Sequence, residues 1–357
     1  MTAAVAKPQR FRFQEVRRST DNPWLTKFAA FTALATLCLI GVGGLVTSKG
    51  VGMSVPDWPT TYGYNMFLFP ISQWVGGIRE EHSHRLFASW VGMLTTILAV
   101  WIFLKEERRW LRWLGVIAFV GVVLQGVLGG MRVVLKMDGL GIPHAALAQG
   151  FLCLLVAISL FLSRWWQKNA KPQAAVSEVA TRLKPFFLAT TVIIFLQLMI
   201  GATMRHQHAG LAVPDFPLAY GKVWPDTDPS SVARYNQSRL HDTQYNAITA
   251  GQIHLHMTHR LTAFLILGLV ATCWWKARPY AAVRKLTDAW LALILLQAVL
   301  GVVTVLKNKP ADIATAHVVV GAASLALGAL ISIMLARLSQ TRAAQIAPAL
   351  KPAFAES

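Results

Sequence analysis

Charged residues are scarce in this chain of 357 residues. Asp, Glu, Lys and Arg make up 14% of it and hydrophobic residues 55%, whereas soluble domains carry about 25% charged residues. The mean hydropathy is +0.47. This composition excludes an ordinary soluble globular domain and predicts a protein that crosses a membrane several times.

Cysteine is also scarce. Cys38, Cys153 and Cys273 lie in apolar stretches, none belongs to a CxxC motif, and no loop carries a pair. These positions argue against a disulfide framework and against a CxxC site. We expect three small side chains buried among helices.

Acidic residues are few: 16 Asp and Glu stand against 34 Lys and Arg, a net charge of +18. The basic residues collect at both ends of the chain and in alternate connections, as the positive-inside rule describes. We therefore predict cytoplasmic termini and basic loops that face anionic lipid, with no nucleic-acid partner. Because the apolar run that follows the basic stretch Lys7–Arg18 lacks a small-residue cleavage site, we expect a retained first span and no signal peptide.

Long apolar runs, in contrast, are abundant. A bilayer core of roughly 30 Å needs about 20 helical residues, and continuous apolar runs favour helices over a β-barrel. We predict an all-α integral membrane protein. Its eight spans are expected at 27–47, 85–104, 111–131, 142–163, 185–204, 257–275, 286–306 and 313–336.

The chain also contains an internal repeat. Val55–Gly63 (VPDWPTTYG) matches Val213–Gly221 (VPDFPLAYG), and Leu124–Gly129 (LQGVLG) matches Leu296–Gly301 (LQAVLG). Matched segments in the same order indicate a duplication. Each copy has four spans, an even number, so both copies enter the membrane from the same side and the repeat is parallel.

We therefore predict two tandem four-helix bundles. The N-terminal half covers residues 27–165 and the C-terminal half 184–338, joined by a cytoplasmic linker at 166–183. Basic cytoplasmic tails occupy 1–26 and 339–357. In a parallel repeat, equivalent positions of the two halves lie at the same depth.

Four spans carry a histidine near the same end. His84 and His144 are 60 residues apart, and His259 and His317 are 58 apart. Imidazole inside a lipid-spanning helix is costly and marks functional sites. Two histidines on facing helices can ligate a haem iron axially, so the pairs predict two haem sites near the outer face. A zinc or copper site, or histidines bonded to interfacial water or carbonyls, are the alternatives.

The two copies differ in chemistry one helical turn before the first histidine of each pair. Glu81 precedes His84 there, whereas His256 precedes His259, and residues three apart share a helix face. A carboxyl group beside a haem can donate or accept a proton. The asymmetry predicts chemistry at the first site and electron transfer at the second.

Other polar residues have expected roles at the sites or in the loops. Arg85 and Arg260 directly follow two of the histidines, and each could pair with a haem propionate or extend to outer lipid headgroups. Asp57 and Asp215, each flanked by prolines, are expected to shape their loops, with the lining of a haem-access cleft as the alternative.

A last group of polar residues is expected to be structural. Gln125 and Gln297 occupy matching positions in two spans and are expected to form hydrogen bonds between helices. Five further histidines are expected to be solvated or to pack in loops: His82, His206, His208, His241 and His254.

Taken together, these residues resemble the haem A synthase family. Its members are membrane proteins of eight helices that oxidise a methyl group of haem O to the formyl group of haem A for cytochrome oxidase. The resemblance covers roughly residues 25–338 and includes the Gly-rich outer loops. It rests on Glu81-x-x-His84-Arg85, His144, His259-Arg260 and His317.

The resemblance implies a role for each site residue. His84 and His144 would ligate the substrate haem O beside the catalytic Glu81, while His259 and His317 would ligate a resident haem b. The implied setting is the cell (inner) membrane. The implied partners are the lipid bilayer, haem O synthase and cytochrome oxidase assembly proteins. A monomer and a homo-oligomer are both compatible with the resemblance.

One departure from the family concerns the loop at 48–80. Many bacterial members carry a cysteine pair in an outer loop, and this chain has none, so its loop must be ordered in another way. Two other functions remain alternatives to the synthase: a non-enzymatic di-haem b membrane cytochrome and a haem carrier in oxidase assembly. Glu81 favours the enzyme, because a pure electron relay has no evident need for a carboxylate beside one haem only.

Overall fold

The computed structural model describes residues 22–170, 172–240 and 247–339. Within these ranges the protein forms ten α-helices and no β-strand. The predicted tails lie outside the described residues except for 22–26 and 339, and His241 lies outside them too. The helices are α1 (Pro23–Ser48), α2 (Gly76–Lys105), α3 (Arg109–Val134), α4 (Gly141–Leu162), α5 (Arg164–Lys168), α6 (Ala174–His206), α7 (Pro229–Ser238), α8 (Ala250–Ala277), α9 (Ala281–Leu306) and α10 (Ala311–Leu338).

Eight helices of the described part are long and apolar enough to cross a membrane, namely all except α5 and α7. Each predicted window lies within one of these helices and overruns its end by one residue at most, although several helices begin well before their window. The prediction of an all-α membrane protein with eight spans is therefore confirmed.

The segment predicted as a linker, 166–183, is largely helical. Helix α5 occupies its start, and α6 begins at Ala174, eleven residues before the predicted span. A hydropathy window detects only the apolar part of a helix, whereas this first part of α6 is polar. Glu178 and Arg182, one turn apart, form an ion pair at 2.7 Å.

Helix ends follow local capping chemistry. The side chain of Asn22 accepts hydrogen bonds from the backbone of Trp24 and Leu25, both at 3.1 Å, and Pro23 occupies the first position of α1. At the start of α8, Thr249 and Gln252 form a capping box. The cap of α8 fixes the start of the helix that carries His256 and His259.

We call α1 to α4 the first helix group and the spanning helices α6, α8, α9 and α10 the second helix group. In the first group α1 contacts α2 and α4, and α3 contacts the same two helices; in the second, α6 and α9 each contact α8 and α10. The groups meet where α1 and α4 contact α10 and where α4 contacts α6. We call the face that carries the connections at 49–75, 135–140, 207–240, 247–249 and 307–310 the loop side.

A buried aromatic pair anchors the second group. Trp290 and Phe187 are fully buried with ring centroids 5.6 Å apart, and Trp290 donates its indole N–H to the backbone oxygen of Ser324 at 2.8 Å. The tryptophan thereby fills the core without leaving a polar group unpaired.

Candidate functional site

The two long loops on the loop side are each organised by an aspartate. In the first loop, Asp57 accepts hydrogen bonds from the backbone N–H groups of Tyr62 (2.8 Å) and Gly63 (2.9 Å) and from the Thr60 hydroxyl (2.5 Å). Burial tends to raise the pKa of Asp57, but these hydrogen bonds outweigh it and hold that pKa below its usual range. Tyr62 donates its hydroxyl to the backbone oxygen of Ser54 at 2.5 Å.

The second loop uses the same contacts. Asp215 accepts hydrogen bonds from the backbone N–H groups of Tyr220 (2.8 Å) and Gly221 (3.0 Å), and the Tyr220 hydroxyl donates to Ala212 (2.8 Å). The prediction that Asp57 and Asp215 shape their loops is confirmed. These turns also show how the first loop is ordered without a disulfide.

An arginine from the following helix fastens each loop. Arg85 donates to the backbone oxygens of Asp57 (2.6 Å), Val55 (2.7 Å) and Thr60 (3.1 Å). It also forms an ion pair with Glu81 at 2.8 Å. Both terminal nitrogens of the guanidinium are therefore engaged within the protein.

Arg260 repeats this arrangement. It donates to the backbone oxygens of Asp215 (2.7 Å), Val213 (3.0 Å) and Leu218 (3.0 Å). Because these carbonyls match those held by Arg85, both arginines tie a loop to the helix that carries a histidine of the pair. A propionate contact for either arginine stays a prediction.

Glu81 and His256 are buried beneath these loops. Each has 3% of its surface exposed. Glu81 accepts a hydrogen bond from the Val55 N–H at 2.9 Å, and His256 accepts one from the Val213 N–H at 3.3 Å. The two positions that differ in chemistry are thus equivalent in structure.

Each of the four paired histidines packs its ring against a glycine of a neighbouring helix. A Cβ atom placed on Gly43 of α1 would lie 2.9 Å from Cε1 of His84, and one on Gly129 of α3 would lie 3.3 Å from Cε1 of His144. These distances are at or below the closest usual carbon contacts. The glycines therefore leave room for the imidazoles.

The second pair is held in the same manner. A Cβ atom on Gly201 of α6 would lie 3.4 Å from Cε1 of His259, and one on Gly301 of α9 would lie 3.1 Å from Cε1 of His317. The Nδ1 atoms of three of the four rings are buried without a hydrogen-bond partner among the described residues: His84, His144 and His259. Such orphaned atoms are uncommon, which makes the rings candidates for ligand binding.

His317 has a defined tautomer. Its Nδ1 lies 3.1 Å from the backbone oxygen of Gln297, and because a carbonyl only accepts, Nδ1 carries the proton. Nε2 then presents a lone pair, the form in which histidine binds a metal. The side-chain amide of Gln297 lies 3.3 Å from that Nε2.

The spacing of the second pair suits axial ligation. The ring centroids of His259 and His317 are 6.4 Å apart. Two imidazoles on opposite sides of one metal ion, each with a bond of roughly 2 Å, place their centroids roughly 6 Å apart. The residues present therefore fit a haem held by both rings.

A cavity of about 940 Å³ opens beside this pair, and both rings line it. Arg132, Arg205 and Lys309 line its loop-side end. Ile194, Leu198 and Ile266 belong to its apolar lining. This volume lies in the range of small-molecule and cofactor sites, about 300–1,000 Å³.

Arg205 and Lys309 were not predicted from the sequence as site residues. Arg205 follows Gly201, on which His259 packs, by one helical turn. The sequence did contain a signal for Arg205: it is a cation one helical turn after a glycine in an apolar span. Charged residues within a membrane span mark functional positions.

The structure corrects two predictions about single residues. His206, expected to be solvated or to pack in a loop, is the last residue of α6 and lies 3.1 Å from Asp138, which also pairs with Arg132 at 2.5 Å. It therefore links the two helix groups. Cys38, expected to be buried, is exposed on α1, whereas Cys273 is buried as predicted.

The other polar residues agree with their expected roles. Gln125 donates its amide from α3 to the backbone oxygen of His144 in α4 at 3.1 Å, so it is an interhelical hydrogen-bonding group. His82 packs under the first loop, with its Nδ1 3.2 Å from the Thr61 hydroxyl and its ring against Trp74. Within the described ranges, no cluster of three or more His, Cys, Asp or Glu side chains could hold a metal ion.

Comparison with known proteins places these features in a family. A family model described as cytochrome oxidase assembly protein (COX15-CtaA) matches residues 78–330, well over half of the chain. The chain belongs to this family. The matched range includes Glu81 and all four paired histidines, and the family predicted from the motifs is confirmed.

Individual proteins also resemble the chain over most of its length. A protein named Heme A synthase from Shouchella clausii is 28% identical over 289 residues, which is 79% of this chain and 87% of the relative. Proteins of the same name from Halalkalibacterium halodurans and Bacillus mycoides are 25% and 27% identical, each over 82% of this chain and 91% and 86% of the relative. The chain thus covers nearly the whole of these relatives.

Proposed function

We propose that this protein is a haem A synthase, an enzyme that oxidises a methyl group of haem O to the formyl group of haem A during oxidase assembly. The observation that carries the proposal is the family match, which contains the whole set of paired histidines. Relatives named Heme A synthase align over about four-fifths of the chain. The eight apolar helices make it an integral membrane protein.

We infer that the two helix groups arose by a parallel internal duplication. The equivalent loops held by Arg85 and Arg260 support this inference, because their hydrogen bonds correspond carbonyl by carbonyl. The glycines under the histidines support it as well. In a parallel repeat the two haem sites lie at the same depth.

In the first half we assign His84 and His144 as the ligands of the substrate haem O. Glu81 lies one turn before His84, buried and paired with Arg85. We assign Glu81 to proton transfer during the oxidation of the methyl group, because a buried carboxylate can accept a proton that the reaction releases. Arg85 and the Val55 N–H fix the orientation of that carboxylate.

In the second half we assign His259 and His317 as ligands of a resident haem b. Haem held in this way supplies one-electron transfer. The centroid spacing of 6.4 Å and the tautomer of His317 support the assignment. Because His256 stands in place of Glu81, this site lacks the carboxylate of the first and is suited to electron relay.

We propose that both termini are cytoplasmic and that the loop side is the outer face of the inner membrane. The even number of spans and the basic connections opposite the loop side support this orientation. Haem O, with its apolar tail, would then enter sideways from the lipid bilayer. Haem O synthase and oxidase assembly proteins are the partners proposed for delivery and use.

The test is to express the protein in cells that supply haem O, purify it in detergent and identify the extracted haems by chromatography and mass. Haem A, or a hydroxylated precursor, should be present and should be lost in His84→Ala and Glu81→Gln. Haem b alone, unchanged by Glu81→Gln, would indicate a di-haem cytochrome instead. Haem O carried unaltered would indicate a carrier.

A further inference from the structure

Arg205 and Lys309 are two cations at the loop-side end of the 940 Å³ cavity. Arg205 donates to the backbone oxygen of Gly44 at 2.8 Å and to the Ser48 hydroxyl at 3.2 Å, and both partners are neutral. Neither cation forms an ion pair with any residue in 22–170, 172–240 or 247–339. Burial and the nearby guanidinium of Arg205 hold the pKa of Lys309 below its usual range, so the two cations are close enough to repel.

The third cation at this end differs in one respect. Arg132 is paired with Asp138 at 2.5 Å, so its charge is compensated within the protein. Lys49, which also lines the cavity, is paired with Glu80 at 2.8 Å. Arg260, another lining residue, is held by three carbonyls of the second loop. Arg205 and Lys309 are therefore the lining cations with neither an ion pair nor such a set of loop carbonyls among the described residues.

Arg205 and Lys309 are both half-buried, and proteins tend to pair charges that are partly withdrawn from water with an opposite charge. Two adjacent cations that line one cavity call for an anionic ligand with two negative groups or a bidentate one. Carboxylates suit this, because guanidinium and ammonium groups form strong charge-assisted hydrogen bonds with them.

The position of Arg205 connects this anion site to the histidine pair. Arg205 lies one turn beyond Gly201, on which the His259 ring packs, and both histidines line the same cavity. By the spacing of the matched loops, Arg205 corresponds to Thr47 in the first copy. The two cations at the loop-side end of the cavity are therefore a feature of the second histidine pair and have no equivalent at Thr47 in the first copy.

We propose that Arg205 and Lys309 form a carboxylate-binding subsite for the two propionates of the haem held by His259 and His317. The proposal rests on the proposed function, in which these histidines hold a haem. It orients that haem with its propionates toward the loop side. The apolar edge then faces the part of the cavity lined by Ile194 and Ile266.

The test compares haem b with its dimethyl ester, in which both carboxylates are masked. Protein carrying His84→Ala and His144→Ala, so that only the second site is observed, is purified from cells starved of haem precursors. It is then titrated with each compound in detergent by absorption spectroscopy. Loss of hydrogen bonds to a charged group should make the ester bind roughly 10- to 100-fold more weakly.

Variants that remove one positive charge show which residues cause the preference for haem b over its dimethyl ester. In this background, Arg205→Gln and Lys309→Gln should each weaken haem b binding and leave ester binding unchanged. Lys307→Gln removes an exposed charge two residues from Lys309 and should keep the full preference for haem b. The midpoint potential of the bound haem should fall in the first two variants, because a nearby cation disfavours the oxidised iron.

The outcomes separate this proposal from the proposed function. Equal binding of haem b and its ester would overturn the carboxylate subsite while leaving the histidine site in place. This comparison uses unaltered Arg205 and Lys309, so it does not depend on the folding of a variant. Haem binding that survives His317→Ala, or no binding in the background, would overturn the second haem site itself.

Discussion

Glu81 and His256 hold the two long loops by the same contact. The Val55 N–H donates to the carboxylate of Glu81, and the Val213 N–H donates to the imidazole of His256. An uncharged acceptor therefore suffices to hold a loop in this position. The negative charge of Glu81 and its second oxygen, paired with Arg85, are surplus to that structural task, which supports a chemical role for the charge.

This relationship predicts that the charge of Glu81 can be removed without loss of the loop. Glu81→Gln and Glu81→His, the latter copying the second site, should both retain bound haem and the protection of the Val55 amide. Formation of haem A should fall by about 10²- to 10⁴-fold, the usual contribution of a general acid or base. The measurements are haem extraction for activity and amide hydrogen exchange for the loop.

Substitution of the same residue by alanine is the matched comparison. Glu81→Ala removes the acceptor as well as the charge, so the Val55 amide should exchange faster in this variant only. If Glu81→Gln formed haem A at the normal rate, Glu81 would be a structural residue and the proton-transfer role would be wrong.

The glycines beneath the histidines give a second prediction. Gly43→Ala and Gly301→Ala would place a Cβ atom 2.9 Å from His84 and 3.1 Å from His317 respectively, so each ring must shift. We expect each variant to lose haem from the site it adjoins while the other site stays loaded. The ratio of haem to protein and the low-spin absorption bands provide the measurement.

Gly126→Ala is the control for these variants. Gly126 lies on α3 and has no heavy atom within 4 Å of an added Cβ, so alanine there adds a methyl group in open space and raises helix propensity. It should keep both haems. Equal haem loss in all three variants would show that the glycines serve helix packing in general rather than the histidines.

The spans and the pairing of the histidines could be predicted because both depend on local signals. Apolar length marks a helix, and a repeated motif such as Val55–Gly63 and Val213–Gly221 marks equivalent positions whatever the tertiary packing. The turns at Asp57 and Asp215 follow from the same local chemistry. These turns can be predicted because the backbone groups that each aspartate binds lie five and six residues further along the chain.

The residues that sequence reasoning missed depend on contacts between the helix groups. Arg205 bonds to Gly44 on α1, and His206 reaches Asp138, partners that are 161 and 68 positions away. The packing of the two helix groups determines which residues of α6 face the first group. The periodicity of apolar residues in the sequence does not specify this packing. The three carbonyl partners of Arg85 were missed for a related reason, since loop carbonyls carry no sequence signature.

The two loop-holding arginines allow a test of their role. Arg260 contacts three backbone oxygens with a fork that lysine cannot reproduce. Arg260→Lys should therefore speed amide exchange across residues 213–221 while the preference of the second site for haem b over its dimethyl ester stays unchanged. Loss of that preference in Arg260→Lys would instead indicate a propionate contact.

The first loop should depend on pH through Asp57. Its pKa in the folded protein lies below the ordinary value of 3.8 because three hydrogen bonds favour the carboxylate despite burial. A group with a lowered folded pKa stabilises the fold fully above its unfolded pKa, and this contribution is lost as the pH falls through the folded value. Amide exchange at Tyr62 and Gly63, corrected for the intrinsic rate, should therefore stay slow down to about pH 4 and accelerate in more acidic solution.

Asp57→Asn provides the decisive comparison for this pH dependence. The amide can replace only part of the acceptor set and carries no charge, so exchange at Tyr62 and Gly63 should be fast at every pH and show no further acceleration in acid. Asp288→Asn, which alters an exposed aspartate on α9, should leave the wild-type profile in place. An acid transition of the loop that persisted in Asp57→Asn would assign the effect to another group and contradict the role given to Asp57, since no other carboxylate accepts these two backbone hydrogen bonds.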